Sequence, residues 1–219
     1  MMTPPHNLVL TEAGQDAIAA IVEHAFADGL TLPGVNGPSE TSKAFAKLWS
    51  KRNGCAFRLH RSLRVYDLTR VKPQRPIKGK LRLASLSDFD ILVHWTRAFV
   101  VDIGEQQSDG RLEKLVREAV ADQRLYAWED DELRSMASWS APTPHGVRIN
   151  YVYTPPEFRG RGYATACVAA LSQAMLDSGR KFCCLFTDLY DRPYATKIQK
   201  GFSARKDASI ANPAIKVTQ

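Results

Sequence analysis

The sequence predicts an α/β chain of the α+β kind, in which a mixed, mostly antiparallel sheet is flanked by helices and preceded by a smaller α/β unit. Three observations point there. Residues 146–153, Gly-Val-Arg-Ile-Asn-Tyr-Val-Tyr, alternate apolar and polar side chains with the period of a strand. They are followed at once by a helical pattern, Val168, Leu171, Met175 and Leu176, closed by Gly179. Just upstream, two strand-like runs flank Asp130-Asp131 as an antiparallel hairpin, 124–129 and 133–140.

Taken in order, residues 8–10 form a short strand candidate. Thr11-Glu-Ala opens a helix to about Ala27, with Ile18, Ile21, Val22, Ala25 and Phe26 on one face. After the turn-rich 33–38, Ser39 caps a second helix with Phe45, Leu48 and Trp49 inward, stopped at Asn53-Gly54. A strand or hairpin around His60 covers 58–69. Residues 72–79, Lys-Pro-Gln-Arg-Pro-Ile-Lys-Gly, have the composition of a linker. A strand over 80–84 leads to a helix capped at Ser87-Asp88, with Ile91, Leu92, Trp95 and Phe99 inward. A second helix over 111–122 turns Leu112, Leu115, Val116, Ala119 and Val120 inward. Trp95, Trp128 and Trp139 are expected in or near the core.

The 219 residues allow one large domain or two small ones, and 44% hydrophobic content supplies an ordinary globular core. No apolar run is long enough to span a bilayer and no signal peptide is visible, so no membrane role is expected. Cys55, Cys167, Cys183 and Cys184 lack metal-ligand spacing, so no metal is expected. Adjacent Cys183 and Cys184 point to opposite faces of a strand, which suits a reduced, cytoplasmic chain. The net charge of +7 is scattered and not interleaved with aromatic residues, which argues against nucleic acid as the partner. A homodimer is left open.

Between strand 146–153 and the helix lies Thr154-Pro-Pro-Glu-Phe-Arg159-Gly-Arg-Gly162-Tyr-Ala164. The prolines stop the ladder, and an Arg-Gly-Arg-Gly turn then opens a helix. Helix N-termini present N–H groups and partial positive charge, so such a turn suits a phosphate or pyrophosphate. Gly160 and Gly162 remove the Cβ atoms that would hold an anion off the backbone, and Arg159 and Arg161 add charge. The spacing is neither a dinucleotide-binding G-x-G-x-x-G nor a Walker A loop.

Arg159-x-x-Gly162-x-Ala164 after a V-x-T-P strand end resembles the pyrophosphate loop of the GNAT superfamily of acyl-CoA N-acyltransferases, and the resemblance extends over roughly 80–202. It implies a GNAT-type sheet and acetyl-CoA or another acyl-CoA as co-substrate, held by Val152, Tyr153, Thr154, Arg159, Gly160, Arg161, Gly162, Tyr163 and Ala164. It also implies direct attack of an amine acceptor on the thioester. Pantetheine would pair with open backbone near 151–153 and 183–187, and a backbone N–H near Val152 or Tyr153 would meet the oxyanion.

The family's proton donor is commonly a Tyr in the helix before Lys200-Gly201-Phe202. Here that position holds Lys197 or Ile198, and Tyr194, one turn earlier, is the catalytic candidate, with Tyr190 before it. Glu129, Glu157 and His145 read as solvated or surface groups. The tail after Phe202 is short and weakly patterned, and the missing Tyr leaves a non-catalytic acyl-CoA-binding module as the alternative. Within 1–71, Pro5-His6-Asn7-Leu8-Val9-Leu10 parallels Pro144-His145-Gly146-Val147-Arg148-Ile149. This likeness suggests a half-repeat of the GNAT fold without a phosphate loop. The expected organisation is therefore 1–71, a linker 72–79, and an acyltransferase domain 80–219.

Overall fold

Strands and helices alternate through both halves of the chain in a computed structural model that describes residues 7–188 and 212–218. The described residues divide into two units, one of 7–65 with 186–188 and 212–218, the other of 66–185.

In the first unit, β1 (Leu8–Val9) leads into α1 (Gln15–Ala27), β2 (Gly34–Asn36), α2 (Ser39–Asn53) and β3 (Ala56–Leu68). β1 and β2 pair in parallel, Leu8 opposite Val35. The C-terminal strand β9 (Asn212–Thr218) lies antiparallel to both β2 and β3. The tail expected to be weakly patterned is therefore a strand whose partners are more than 140 residues away in sequence. β3 is one strand and not a hairpin; the irregularity around His60 is a register shift between Leu59 and Arg61. α1 starts at Gln15 rather than near Thr11, because Gly14 is extended and ends the preceding segment. Ser39 is the first helical residue of α2, with Pro38 at the cap, and Gly54 ends that helix at φ +66°. Ile18, Val22, Ala25, Phe45 and Trp49 make the core of this unit. Leu48 and Phe26, expected inward, are exposed.

In the second unit, β4 (Lys80–Leu83) is followed by a single 3₁₀ turn, α3 (Phe89–Asp102), α4 (Asp109–Ala121), β5 (Leu125–Asp130), β6 (Glu132–Ser140), β7 (Gly146–Tyr153), α5 (Tyr163–Asp177) and β8 (Phe182–Asp188). β4, β5, β6 and β7 pair antiparallel in sequence order, and β8 pairs with β7 in parallel. Side chains alternate across this sheet as strand geometry requires. Leu125 and Ala127 pack with Leu92, Trp95 and Val116 from α3 and α4. Tyr126 and Trp128 face the other way, with Cys167, Val168 and Leu171 from α5. Trp95 and Trp128 are buried as expected and Trp139 is half-buried, whereas Ile91 is exposed. Burying a side chain such as Leu92, Leu112 or Leu171 completely contributes about 1.5–3 kcal/mol.

α3 starts at Phe89 with Asp88 at its cap position, within the expected Ser87-Asp88 pair. Ser85 caps the 3₁₀ turn before it: Asp88 accepts from the Ser85 N–H (2.9 Å) and hydroxyl (2.9 Å) in a capping box. Arg82 of β4 then closes on Asp88 with two bonds, 2.7 and 2.9 Å, and on Glu129 at 2.9 Å. The guanidinium, assisted by the Ser85 bonds, holds the Asp88 carboxyl down at about 2. Glu129, read from the sequence as solvated, is thus a structural ion-pair partner.

Because the folded-state value lies below the ordinary one, this stabilisation is present above about pH 4 and is lost as pH falls toward 2. Asp88→Asn is expected to lower stability at pH 7 by about 2 kcal/mol and to flatten the acid limb of the stability profile between those values. Denaturant unfolding of both proteins across pH 2–7 checks this, and parallel acid limbs would contradict it.

Candidate active site

β7 carries one residue more than its antiparallel partner can match. Met136 of β6 faces Tyr153 while Ser138 faces Asn150, so Tyr151 and Val152 together oppose Ala137. Tyr151 takes φ +47°, a conformation rare for a tyrosine. The effect on facing is direct. Val147 and Ile149, two apart, share the α5-side core, but the next member of that core is Val152, three residues on. Tyr151 and Tyr153 face the α3–α4 side, with ring centroids 5.3 Å from Phe99 and 6.3 Å from Trp95. Burial raises both phenols above their ordinary range.

On its other edge β7 pairs in parallel with β8, Gly146 with Phe182 through Ile149 with Leu185, and β7 itself runs on through the bulge to Tyr153. The expected participation of 183–187 is corrected for Cys183, Cys184 and Leu185, which lie inside the paired stretch.

Past Tyr153 the chain is fastened before it turns. Ser135 Oγ donates to the Tyr153 carbonyl at 2.9 Å and shares a hydrogen bond of 2.9 Å with the Thr154 hydroxyl. Arg159 Nε donates to the Thr154 carbonyl at 2.8 Å, and its Nη2 reaches Asp102 of α3 at 2.7 Å. The Arg159 guanidinium also lies 5.5 Å from the Tyr153 ring centroid. Its side chain thus braces the turn against β7 and α3.

Gly160 and Gly162 stand at φ +81° and +93°, and α5 begins at Tyr163. Gly160 is exposed, with no other group within 4 Å of where a Cβ would be, so a ligand can approach its backbone. A Cβ at Gly162 would stand 3.0 Å from Ile77 Cδ1. Arg161 is exposed and Ala164 is half-buried against the α5 core. Tyr163 turns inward and donates its O–H to Asp130 at 2.8 Å, which raises the phenol above its ordinary range. Asp130 is also 3.0 Å from Lys78, whose ammonium chiefly holds that carboxyl below the ordinary range.

The residues expected from the sequence thus converge on one strand end and one helix start. Gly160, Arg161 and the first turn of α5 present backbone and charge, while Val152, Tyr153, Thr154 and Tyr163 have buried side chains and contribute through backbone. A helix of this length leaves the N–H groups of its first turn without intrahelical partners, so the start of α5 suits an anion. Tyr194 and Tyr190 lie outside the described residues. Glu157 and His145 are exposed. Sequence reasoning missed Ser135, Asp102, Asp130 and Ile77, which position the turn; only the apolar Ile77 between Pro76 and Lys78 hinted at packing. All four cysteines are free thiols, and no cluster of three metal-ligating side chains occurs among the described residues. No helix among those residues is long and apolar enough to cross a membrane.

Comparison with known proteins agrees with this geometry. The model of the acetyltransferase (GNAT) family matches residues 90–193. No curated protein matches the sequence. Among solved structures, a GNAT-family acetyltransferase from Colwellia psychrerythraea superposes with a TM-score of 0.65 at 13% identity, covering 93% of this chain and 71% of its own. A GCN5-related N-acetyltransferase from Sphaerobacter thermophilus gives 0.61 at 15% identity over 84% of this chain and 59% of its own. A functionally unknown conserved protein from Staphylococcus epidermidis gives 0.60 at 12% identity, covering 96% and 84%. At these identities the likeness is one of fold.

Gly162→Ala is expected to cost about 1–3 kcal/mol, since a side chain at φ +93° is strained and Ile77 must yield. Thermal unfolding checks it: a melting temperature equal to that of the unaltered protein would mean that the turn is not held as described.

Proposed function

We propose, from the match of residues 90–193 to the model of the GNAT acetyltransferase family, that this protein is an N-acyltransferase which moves an acetyl or other acyl group from acyl-CoA to an amine by direct attack. The observation that carries the reading is the bulged end of β7, followed at once by the open Gly160 turn and the start of α5. The thioester supplies an activated acyl group, and the protein's tasks are to hold it, meet the developing charge and manage one proton.

The first task falls to backbone. The Gly160–Ala164 amides and the positive end of α5 suit a pyrophosphate, with Arg161 adding charge, and open Gly160 leaves room for it. The main chain at the bulged end of β7 would offer N–H and C=O groups to the amides of pantetheine, as an added strand would use them. The bulge re-aims the strand at Tyr151 and Val152, which supports a backbone N–H near Val152 or Tyr153 as the oxyanion donor. Tyr194 remains the proposed acid for the departing thiolate: a phenol stays protonated at neutral pH and can pass its proton to a thiolate whose thiol has a pKa of about 8.5. Acetyl-CoA is the proposed donor.

In the first unit, strand, helix, strand, helix and strand follow one another with β1 and β2 parallel, as β7 and β8 are around α5. That order supports reading it as a half-copy of the fold. The short segment between β1 and α1 has no counterpart of the Arg-Gly-Arg-Gly turn, so acyl-CoA is assigned to the second unit alone.

Calorimetric titration with acetyl-CoA, paired with a transfer assay over a panel of amines, tests the function. Binding by the unaltered protein with acyl transfer to at least one amine is expected. Gly160→Asp, which places a carboxylate in the open turn, should weaken binding at least about tenfold. Binding without transfer would leave an acyl-CoA-binding module, and no binding would overturn the reading.

A further inference from the structure

The segment 72–79, whose composition is that of a spacer, is fastened across the start of α5. Three contacts hold it. Ile77 packs against Gly162, its Cδ1 3.0 Å from the place a Cβ would take. Trp128 Nε1 donates to the Lys78 carbonyl at 3.0 Å. The Lys78 ammonium bridges Asp130, at 3.0 Å, and Asp131. Asp130 joins the two sides, because its carboxylate also accepts the O–H of Tyr163, the first residue of α5. Pro73 and Pro76 restrict the backbone on either side of Arg75, and Gln74 folds back on the Lys72 carbonyl at 2.8 Å. This segment lies outside the 90–193 family match.

Such fastening places a cation that the sequence reading left unassigned. Arg75 is exposed and stands two residues from Ile77, a backbone span of at most about 7 Å. Lys78 is committed to Asp130 and Asp131, while Arg75 makes no ion pair or hydrogen bond with another described residue. We propose that Arg75, carried to the edge of the Gly160–Gly162 turn by this segment, is a binding residue for the phosphates of acyl-CoA. The inference rests on the acyl-CoA reading above and adds to the turn a contact from outside it. Arginine suits that role because its fixed fork matches a phosphate with two parallel N–H···O bonds and keeps its charge at any physiological pH.

The test is calorimetric titration of acetyl-CoA and 3′-dephospho-acetyl-CoA into the unaltered protein, Arg75→Ala and Arg75→Lys, with melting temperatures recorded alongside. Arg75→Ala is expected to weaken acetyl-CoA about tenfold at an unchanged melting temperature, with Arg75→Lys recovering part of the loss. A loss confined to acetyl-CoA assigns the contact to the 3′-phosphate, and an equal loss for both ligands assigns it to the diphosphate; either supports the proposal. Arg75→Ala binding as tightly as the unaltered protein overturns it, as does an equal loss in Arg75→Lys accompanied by a lowered melting temperature. Failure of the unaltered protein to bind acetyl-CoA would instead remove the acyl-CoA reading itself, and this proposal with it.

Discussion

One extra residue in β7 sets the conditions for everything around the candidate site. With Tyr151 at φ +47°, Val152 still reaches the core under α5 while Tyr153 reaches the core under α3 and α4. Both side chains are consumed in packing, so what the strand end can offer a ligand is its main chain. A regular strand of this length would have stayed in step with β6. Here the register shifts at Tyr151 and Val152, and the strand runs straight on into the glycine turn. A non-glycine residue held at positive φ costs free energy, and the surrounding cores supply the constraint that maintains it.

The turn that follows is held from three directions by contacts that leave its backbone accessible. Arg159 ties it to the end of β7 and to α3, Tyr163 ties it through Asp130 to β5, and Ile77 closes on Gly162. Preorganised amides are what an anion site needs, since a turn ordered before binding does not spend interaction energy on ordering itself. Arg159 thus braces the turn, and exposed Arg161 adds charge beside it, as does Arg75 on the proposal above.

Much of this arrangement was legible in the sequence. Alternation located β7 at its observed bounds, helical spacing located α5, and the proline pair with Arg-Gly-Arg-Gly marked the turn between them. Residues whose roles depend on distant partners were not legible. The bulge at Tyr151 carries no glycine to announce it, because tertiary packing and not propensity imposes the conformation. Residues 72–79 read as a solvated spacer because two prolines and three charges give no periodic pattern; their docking depends on Trp128 and Asp130, some 50 residues away. β9 escaped notice for the same reason, its pairing with β2 and β3 being set entirely by long-range contacts. Amphipathic spacing also overreached at Ile91 and Leu48, where a helix face at the edge of a core remains wet.

The central claim is that the main chain from the end of β7 through the first turn of α5 is the acyl-CoA site, and amide hydrogen exchange addresses it residue by residue. With saturating acetyl-CoA, the amides of 152–154 and 160–165 are predicted to exchange markedly more slowly, while those of α1 and α2 keep their rates. Bound ligand that leaves 160–165 unprotected, or that protects chiefly another part of the chain, would contradict the account.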